Sequence, residues 1–125
     1  MTHIGVIDKT KKIYAAFYQN ENEKIPVRDW LMEMEREDRR VKGKDIQKVE
    51  FGWPIGMPYC RSLGKGLREV RSSISNNRIA RVLFFTLNNE MILLHGFIKK
   101  TQKTPDKEKN IAIKRMKEVK DNDAK

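Results

Sequence analysis

The fifteen residues from Met91 to Pro105, MILLHGFIKKTQKTP, decide the fold that this sequence predicts. Their first half is an almost unbroken apolar run, which is typical of a strand buried on both faces of a sheet. The run stops at Lys99 and Lys100, and Lys103 follows closely. A buried strand that ends in ammonium groups holds positive charge at a fixed point on a rigid element. This corner is therefore suited to bind a phosphate group.

A helix is predicted directly after this corner. Thr104 fits the N-cap position, and Pro105 fits the first helical position, where its missing N–H is harmless. The helix should run to about Lys120, because apolar residues recur on one narrow stripe among lysines. The stripe consists of Ala112, Ile113, Met116 and Val119.

Three more strands are predicted upstream. Residues 12–18, KIYAAFY, combine aromatic and β-branched residues and predict a first strand. Leu67–Arg71 and Arg78–Thr86 predict two others, and the polar segments SSISNN and Asn88–Glu90 are typical of the turns that follow them. Strands joined by such short turns form an antiparallel meander.

Two helices are predicted between the first strand and this meander. The first begins at Ile25-Pro26, where apolar residues recur at helical spacing, and Trp30 on this face is expected to anchor the core. A second helix is predicted over Asp38–Phe51, although Gly43 inside it disfavours a helix by about 1 kcal/mol relative to alanine. The apolar face of the first helix is formed by Val27, Trp30, Leu31 and Met34.

The two helices also suggest a DNA-binding helix-turn-helix as an alternative function. Arg36, Arg39 and Arg40 would then face DNA. Acidic residues nearly cancel these bases, however, and a helix face of mixed charge is usually only solvated.

Residues 52–66, GWPIGMPYCRSLGKG, are predicted to form a loop because four glycines and two prolines interrupt them. Cys60 lies within this loop. No histidine is near it in sequence, so a passive thiol is favoured over a nucleophile.

These elements predict an α+β fold with a small twisted antiparallel sheet of about four strands. Two N-terminal helices and one C-terminal helix flank the sheet. At 125 residues the chain is expected to be one domain, 1–125, with flexible ends at residues 1–11 and 121–125.

The net charge points to a polyanionic partner. Lysine and arginine number 27 against 17 aspartates and glutamates, which gives a formal charge of +10. Nucleic acid is the first candidate partner, an acidic protein the second and anionic lipid the third.

Cysteine and histidine are too few for a disulfide framework or a zinc site. The chain has one cysteine, Cys60, and two histidines, His3 and His95. We therefore expect no metal and no cofactor. No run of eighteen apolar residues occurs, so we expect a cytoplasmic protein with no membrane partner.

Basic residues are concentrated around the predicted strands. Between Arg61 and Arg81 there are six bases and one acid, Glu69. With the three lysines after the last strand they would converge on one side or end of the sheet. The nine bases are Arg61, Lys65, Arg68, Arg71, Arg78, Arg81, Lys99, Lys100 and Lys103.

Such a cationic site suits the cleavage of RNA without a metal, since the 2′-hydroxyl of RNA can itself attack the phosphorus. Catalysis then requires a base, a group that neutralises the phosphoryl oxygens and an acid for the 5′-oxygen. Arginine fits the second task, and lysine fits a proton-transfer task if its pKa is lowered. His95 also fits a proton-transfer task by its ordinary pKa, although its apolar strand favours a structural role. A merely solvated cationic edge remains the alternative.

Three segments of the sequence resemble the phage-derived, HigB-type branch of the RelE-like toxins. They are LGKGLREVR (Leu63–Arg71), RIARVLFF (Arg78–Phe85) and above all LLHGFIKKTQKTP (Leu93–Pro105). Weaker similarity in Phe17–Leu31 and Gly56–Gly64 extends the resemblance over most of the chain from about residue 12.

The resemblance implies the toxin of a toxin–antitoxin pair. Such a toxin would be an endoribonuclease that cuts mRNA, in many relatives on the ribosome, and so inhibits translation. Its partner would be a helical, HigA-like antitoxin with a DNA-binding domain. By the same resemblance Arg71 and Arg81 would stabilise the phosphate, and Lys99 would transfer a proton or stabilise charge. The residues implied to bind RNA are Lys65, Arg68, Arg78, Lys100 and Lys103. A non-catalytic nucleic-acid or ribosome-binding protein is the alternative.

Overall fold

A computed structural model describes residues 10–100 and 102–124. Within these residues the chain forms three helices and one five-stranded sheet. In chain order the elements are β1 (Tyr14–Phe17), α1 (Pro26–Glu33), α2 (Arg36–Gly52), β2 (Cys60–Gly64), β3 (Leu67–Ile74), β4 (Arg78–Leu87), β5 (Glu90–Lys99) and α3 (Asp106–Asp123). The predicted α+β class is confirmed. The prediction of a flexible N-terminal end falls mainly on residues 1–9, which lie outside the described residues.

The strands are arranged in the order β1-β5-β4-β3-β2. The predicted meander is confirmed, because β3, β4 and β5 are successive antiparallel neighbours. The sheet is mixed rather than wholly antiparallel, since β1 pairs with β5 in parallel. That pairing is possible because α1 and α2 separate β1 from the rest of the sheet in sequence and provide a long crossover.

The structure corrects the prediction of a loop over residues 52–66. Cys60–Gly64 form β2, which pairs antiparallel with β3. Two of the four glycines that suggested a loop, Gly64 and Gly66, belong to the tight turn of this hairpin, where they and Lys65 have positive φ angles. The glycines that the turn requires interrupt the sequence pattern of the strand, and β2 was therefore not predicted.

The turn after β3 also lies later than predicted. Ser72–Ile74 continue the strand, and the chain reverses at Asn76 and Asn77, with φ angles of 60° and 57°. Two central residues with positive φ form the hairpin turn whose twist matches that of its strands, and asparagine tolerates this conformation. Asn88 and Asn89 make the same kind of turn between β4 and β5, as predicted.

Helices α1 and α2 cover one face of the sheet. Trp30 of α1 packs over Gly96 of β5, where an added Cβ would lie 2.4 Å from the indole Cε3. Gly96 is therefore required by the close approach of the indole ring. The apolar cluster on this face is formed by Ile13, Val27, Ile46, Val49, Cys60, Val70, Val82, Phe84, Met91 and Leu93.

Lys42 of α2 is also buried on this face. Its Nζ donates to the carbonyl oxygens of Val70 at 2.6 Å and Ala80 at 3.1 Å, and to Oγ of Ser72 at 3.0 Å. This one ammonium group fastens α2 to both β3 and β4.

Helix α3 packs against β4 and β5 on the other face of the sheet. The apolar cluster there is formed by Tyr18, Leu67, Leu83, Phe85, Ile92, Leu94, Phe97, Ala112 and Met116. The helix begins one residue later than predicted, with Pro105 rather than Thr104 as its N-cap. The Thr104 hydroxyl instead donates to Glu69, so it does not cap the helix. None of the described helices combines the length and apolar character that crossing a membrane requires.

Candidate functional site

Arg71 and Arg81 lie side by side on the α3 face of the sheet. They are register partners on β3 and β4, and Phe97 is the partner of Arg81 on β5. Partners in an antiparallel pair have Cα atoms about 5 Å apart. The Arg81 guanidinium lies 5.7 Å from the centre of the Phe97 ring. The sheet therefore brings together the two arginines that the sequence singled out.

A buried carboxylate, Glu69, holds the two arginines in place. Arg71 Nε donates to Glu69 Oε1 at 2.6 Å, and Arg81 Nε lies 3.9 Å from Oε2. Oε2 also accepts a hydrogen bond from the Thr104 hydroxyl. Because Glu69 is wholly buried, its charge is stable only with such partners around it.

Gln102 and Thr104, which follow β5, contact the group formed by Arg71, Glu69 and Arg81. The backbone carbonyl of Gln102 accepts a hydrogen bond from Arg71 Nη2, and the Gln102 side-chain oxygen lies 3.4 Å from Nη1. Together with Thr104, these contacts fix the lysine-rich segment against the arginine pair. The motif that suggested a phosphate-binding corner is thus tied to both arginines.

The two arginines differ in their access to solvent. The Arg81 side chain is completely buried, whereas 19% of the Arg71 side chain is exposed. Burial lowers the pKa of Arg81, and the neighbouring Arg71 and Arg61 lower it further, while Glu69 raises it. Arg71 can therefore contact a ligand directly, whereas the buried Arg81 lies behind it, next to Glu69.

Lys99 lies at the same end of the sheet. It is paired with Ile79, two residues before Arg81, and it shares a face with Phe97. Strand spacing and rise per residue place its Cα roughly 12 Å from that of Arg71. Lys99, Lys100 and Lys103 are all exposed, and their long side chains can span much of this distance.

Three of the predicted RNA-binding residues lie elsewhere. Lys65 is in the β2–β3 turn, roughly 20 Å along β3 from Arg71. Arg68 points to the other face, where its guanidinium lies 5.0 Å from the centre of the Trp53 ring. Arg78 also points to that face and pairs with Asp38 at 3.0 Å. The structure does not bring these residues to the arginine pair.

Sequence reasoning missed the roles of Glu69, Thr104 and Arg61. Arg61 is exposed and is the register partner of Glu69 on β2, so it adds a third guanidinium to this face. A sequence signal for Glu69 did exist, because it is the only acid between Arg61 and Arg81. A single acid among six bases indicates a charge-balancing role.

His95 connects β5 to α3. A register shift at Leu83/Phe84 interrupts the pairing of β4 with β5, so Leu94 and His95 both lie on the α3 side. The His95 Nε2 is 2.7 Å from a Glu108 carboxylate oxygen, and Nδ1 is 3.4 Å from Arg115 Nη1. Burial lowers the pKa of His95, although Glu108 raises it. A neutral ring with its proton on Nε2 satisfies both neighbours, which supports the structural interpretation.

The other side chains considered for a chemical or DNA-binding role are either buried or engaged in contacts within the protein. Burial raises the pKa of the Cys60 thiol, which disfavours a nucleophilic thiolate. Arg40 is paired with Glu37 at 2.6 Å, and Arg39 contacts the sulfur of Met32. Within residues 10–100 and 102–124, no three His, Cys, Asp or Glu side chains are grouped closely enough to hold a metal ion.

Comparison with known proteins gives one family match. A family model described as "Phage derived protein Gp49-like (DUF891)" matches residues 29–117, which is more than two thirds of the chain. The matched region includes both arginines of the pair, Glu69 and the lysine-rich segment. No curated protein matches the chain.

Proposed function

The chain belongs to the Gp49-like family of phage-derived proteins, a toxin-like family of the RelE/HigB type, and from this premise we propose that it is an endoribonuclease toxin. It would cleave mRNA, with the ribosome as the site of cleavage, and so inhibit translation. The observation that carries this proposal is the Arg71–Glu69–Arg81 group beside the lysine-rich segment. This arrangement suits a phosphodiester, because Arg71 is held partly exposed beside exposed lysines, and one guanidinium can bind two phosphate oxygens at once.

In the proposed reaction the 2′-oxygen of RNA attacks the adjacent phosphorus and the bond to the 5′-oxygen breaks. A 2′,3′-cyclic phosphate and a free 5′-hydroxyl result. Arg71 neutralises the charge that develops on the phosphoryl oxygens. Lys99 is the candidate for proton transfer or for further charge stabilisation. Arg81 is a positioning residue, since it is buried and acts on Arg71 through their shared carboxylate.

Binding of the flanking RNA is assigned to the exposed bases around Arg71. Lys100 and Lys103 extend the cationic surface beyond Lys99, and Arg61 extends it on the β2 side. The roles first predicted for Lys65, Arg68 and Arg78 are not supported by their positions. Contacts of this kind are electrostatic and independent of sequence, so affinity should fall steeply with salt.

A toxin-like family implies an antitoxin partner, and we propose a helical, HigA-like antitoxin with a DNA-binding domain. An acidic segment of the antitoxin would neutralise the surface around Arg71 and Lys99. Co-expression with the adjacent reading frame followed by native mass spectrometry should show a complex. A free toxin beside a folded neighbour would contradict this part of the proposal.

Expression under a tight promoter tests the function itself. We expect arrest of growth and translation, and cleavage of mRNA in ribosome-containing extracts. Arg71→Ala should lower the cleavage rate about a hundredfold, as loss of a charge-stabilising donor does in other enzymes. Arg28→Ala is the matched control, because Arg28 is an exposed arginine of α1 that pairs with Asp29. Unimpaired growth with wild-type protein would refute the proposal.

Non-catalytic binding of RNA is the second candidate. It is favoured by the complete burial of Arg81 and by the engagement of both ring nitrogens of His95. If the protein only binds RNA, binding should be tight and salt-dependent, and the RNA should stay intact after long incubation with the protein.

A further inference from the structure

An exposed groove lies beside Arg71 at the edge of the sheet. Its volume is about 300 Å³, at the lower end of the range for small-molecule sites. Such a groove has room for one nucleoside but not for a duplex. The residues that line it are Val41, Asp45, Pro58, Tyr59, Arg71 and Ser73.

The groove exists because β2 is shorter than β3. β2 begins at Cys60, which is the register partner of Val70. Continuing this register places Tyr59 opposite Arg71. A turn fixes Tyr59 there, since its backbone N–H donates to the carbonyl of Gly56 at 3.1 Å. Tyr59 thus lies opposite Arg71, the residue proposed to bind phosphate, and both residues line the groove.

Tyr59 is well suited to stack on a base. Its side chain is one of the exposed large apolar groups, at 41% exposure. The Lys48 ammonium lies 5.4 Å from the centre of its ring, so positive charge accompanies the aromatic surface. An aromatic ring beside cationic groups is the usual platform for a base of single-stranded nucleic acid.

Asp45 provides a hydrogen-bond acceptor in the same groove. One carboxylate oxygen lies 3.5 Å from Lys48 Nζ, which places this acidic group beside the ring of Tyr59. Carboxylates recognise bases through amino groups, which uracil lacks. An acidic side chain in an otherwise cationic RNA surface would weaken binding unless it accepted such a bond.

We propose that the groove between Tyr59 and Asp45 binds one nucleobase next to the phosphate held by Arg71, and that it prefers a base with an amino group. This inference rests on the proposed RNA-binding function and adds a specificity site to it. Tyr59 stacks on the base, and the Asp45 carboxylate accepts a hydrogen bond from the amino group. Guanine, adenine and cytosine fit this chemistry better than uracil does.

Binding of short single-stranded oligonucleotides with 2′-O-methyl groups tests the proposal, because such probes cannot be cleaved through the 2′-oxygen. Probes that differ at one position, with guanine, adenine, cytosine, uracil or no base, are compared by fluorescence anisotropy. Tyr59→Ala should weaken binding of the amino-bearing probes about 5- to 100-fold and leave the abasic probe unchanged. Tyr59→Phe should retain most of the affinity, and Asp45→Asn should reduce the discrimination against uracil.

Tyr14→Ala is the matched control. Tyr14 is also exposed and also has a lysine ammonium near its ring, Lys11 at 5.9 Å, but it lies on β1 at the opposite edge of the sheet. Its removal should leave every affinity unchanged. Equal affinity of the wild-type protein for abasic and base-containing probes would overturn the inference, even if Tyr59→Ala failed to fold. Base-dependent binding without any RNA cleavage would refute only the nuclease proposal, whereas cleavage without base dependence would refute only the groove.

Discussion

Among the described residues, each face of the sheet buries one basic side chain completely: Lys42 on the α2 face and Arg81 on the α3 face. The two side chains are stabilised by different kinds of partner. On the α2 face, Lys42 donates to two backbone carbonyls and one serine hydroxyl, all of them uncharged. On the α3 face, Arg81 lies beside the carboxylate of Glu69. The first cation is held by neutral acceptors and the second by an opposite charge.

This difference follows from the chemistry of the two side chains. Burial lowers the pKa of Lys42 to about 7, so the amine can lose its proton and remain inside. Arginine stays charged at every working pH and needs a carboxylate nearby. Glu69 has a second oxygen, and this oxygen holds Arg71 at the surface. The α2 face thus uses its cation only for packing, whereas the α3 face connects a buried charge to an exposed one.

Removing Glu69 should have the largest effect on stability. Glu69→Ala removes the carboxylate that lies beside the buried Arg81 and binds Arg71, and breaking a buried ion pair typically costs about 3–5 kcal/mol. Chemical denaturation measures the loss. The double variant Glu69→Gln/Arg81→Met should recover part of it, since no buried charge then remains unpaired. If the Glu69→Ala variant were as stable as the wild-type protein, the two arginines would not depend on this carboxylate.

The free energy of unfolding should depend on pH through Lys42, the buried lysine on the α2 face. The folded-state pKa of Lys42, about 7, is below its ordinary value, so the unfolded chain binds more protons between pH 7 and about 10. Stability contributed by Lys42 therefore rises with pH over this window, on the order of 3 kcal/mol in total. Denaturation midpoints of wild-type protein and of Lys42→Met, compared from pH 6 to 10, isolate this contribution from the general decrease in net charge. Parallel profiles for the two proteins would mean that Lys42 keeps an ordinary pKa.

The sequence predicted the parts of the molecule that depend on local patterns. The meander, the helix over Asp38–Phe51 and the packing of Trp30 against the core all follow from periodicity and turn residues, and all are confirmed. The strand Cys60–Gly64 could not be predicted, because its identity depends on pairing with β3 rather than on its own residues. The pairing of Arg71 with Arg81 depends in the same way on register. The burial of Lys42 was likewise hidden, since its acceptors lie on two distant strands.

Replacing Gly96 or Gly43 by alanine should have opposite effects on stability, because the Trp30 ring packs against Gly96 whereas no side chain packs against Gly43. Gly96→Ala would place a methyl group 2.4 Å from the Trp30 ring, and overpacking of this kind costs about 1–3 kcal/mol. Gly43, inside α2, has no heavy atom within 4 Å of an added Cβ. Gly43→Ala should therefore stabilise the protein by about 0.5–1 kcal/mol. Thermal unfolding of both variants measures the contrast, and a destabilised Gly43→Ala would contradict it.

The smallest expected change in stability is that of Arg78→Gln on the α2 face, and it contrasts with Arg71→Gln on the α3 face. Arg78 pairs with Asp38 and donates to Ser75, and its side chain is one-third exposed, so Arg78→Gln should cost about 1 kcal/mol of stability. RNA affinity should hardly change, because the residue is tied to α2 on the face opposite the proposed site. Arg71→Gln, by contrast, should lower the slope of log affinity against log salt by about 0.7, the contribution of one phosphate contact on a single strand. If Arg78→Gln lowered this slope as much as Arg71→Gln did, RNA would contact both faces of the sheet, and the assignment of structure to one face and binding to the other would be wrong.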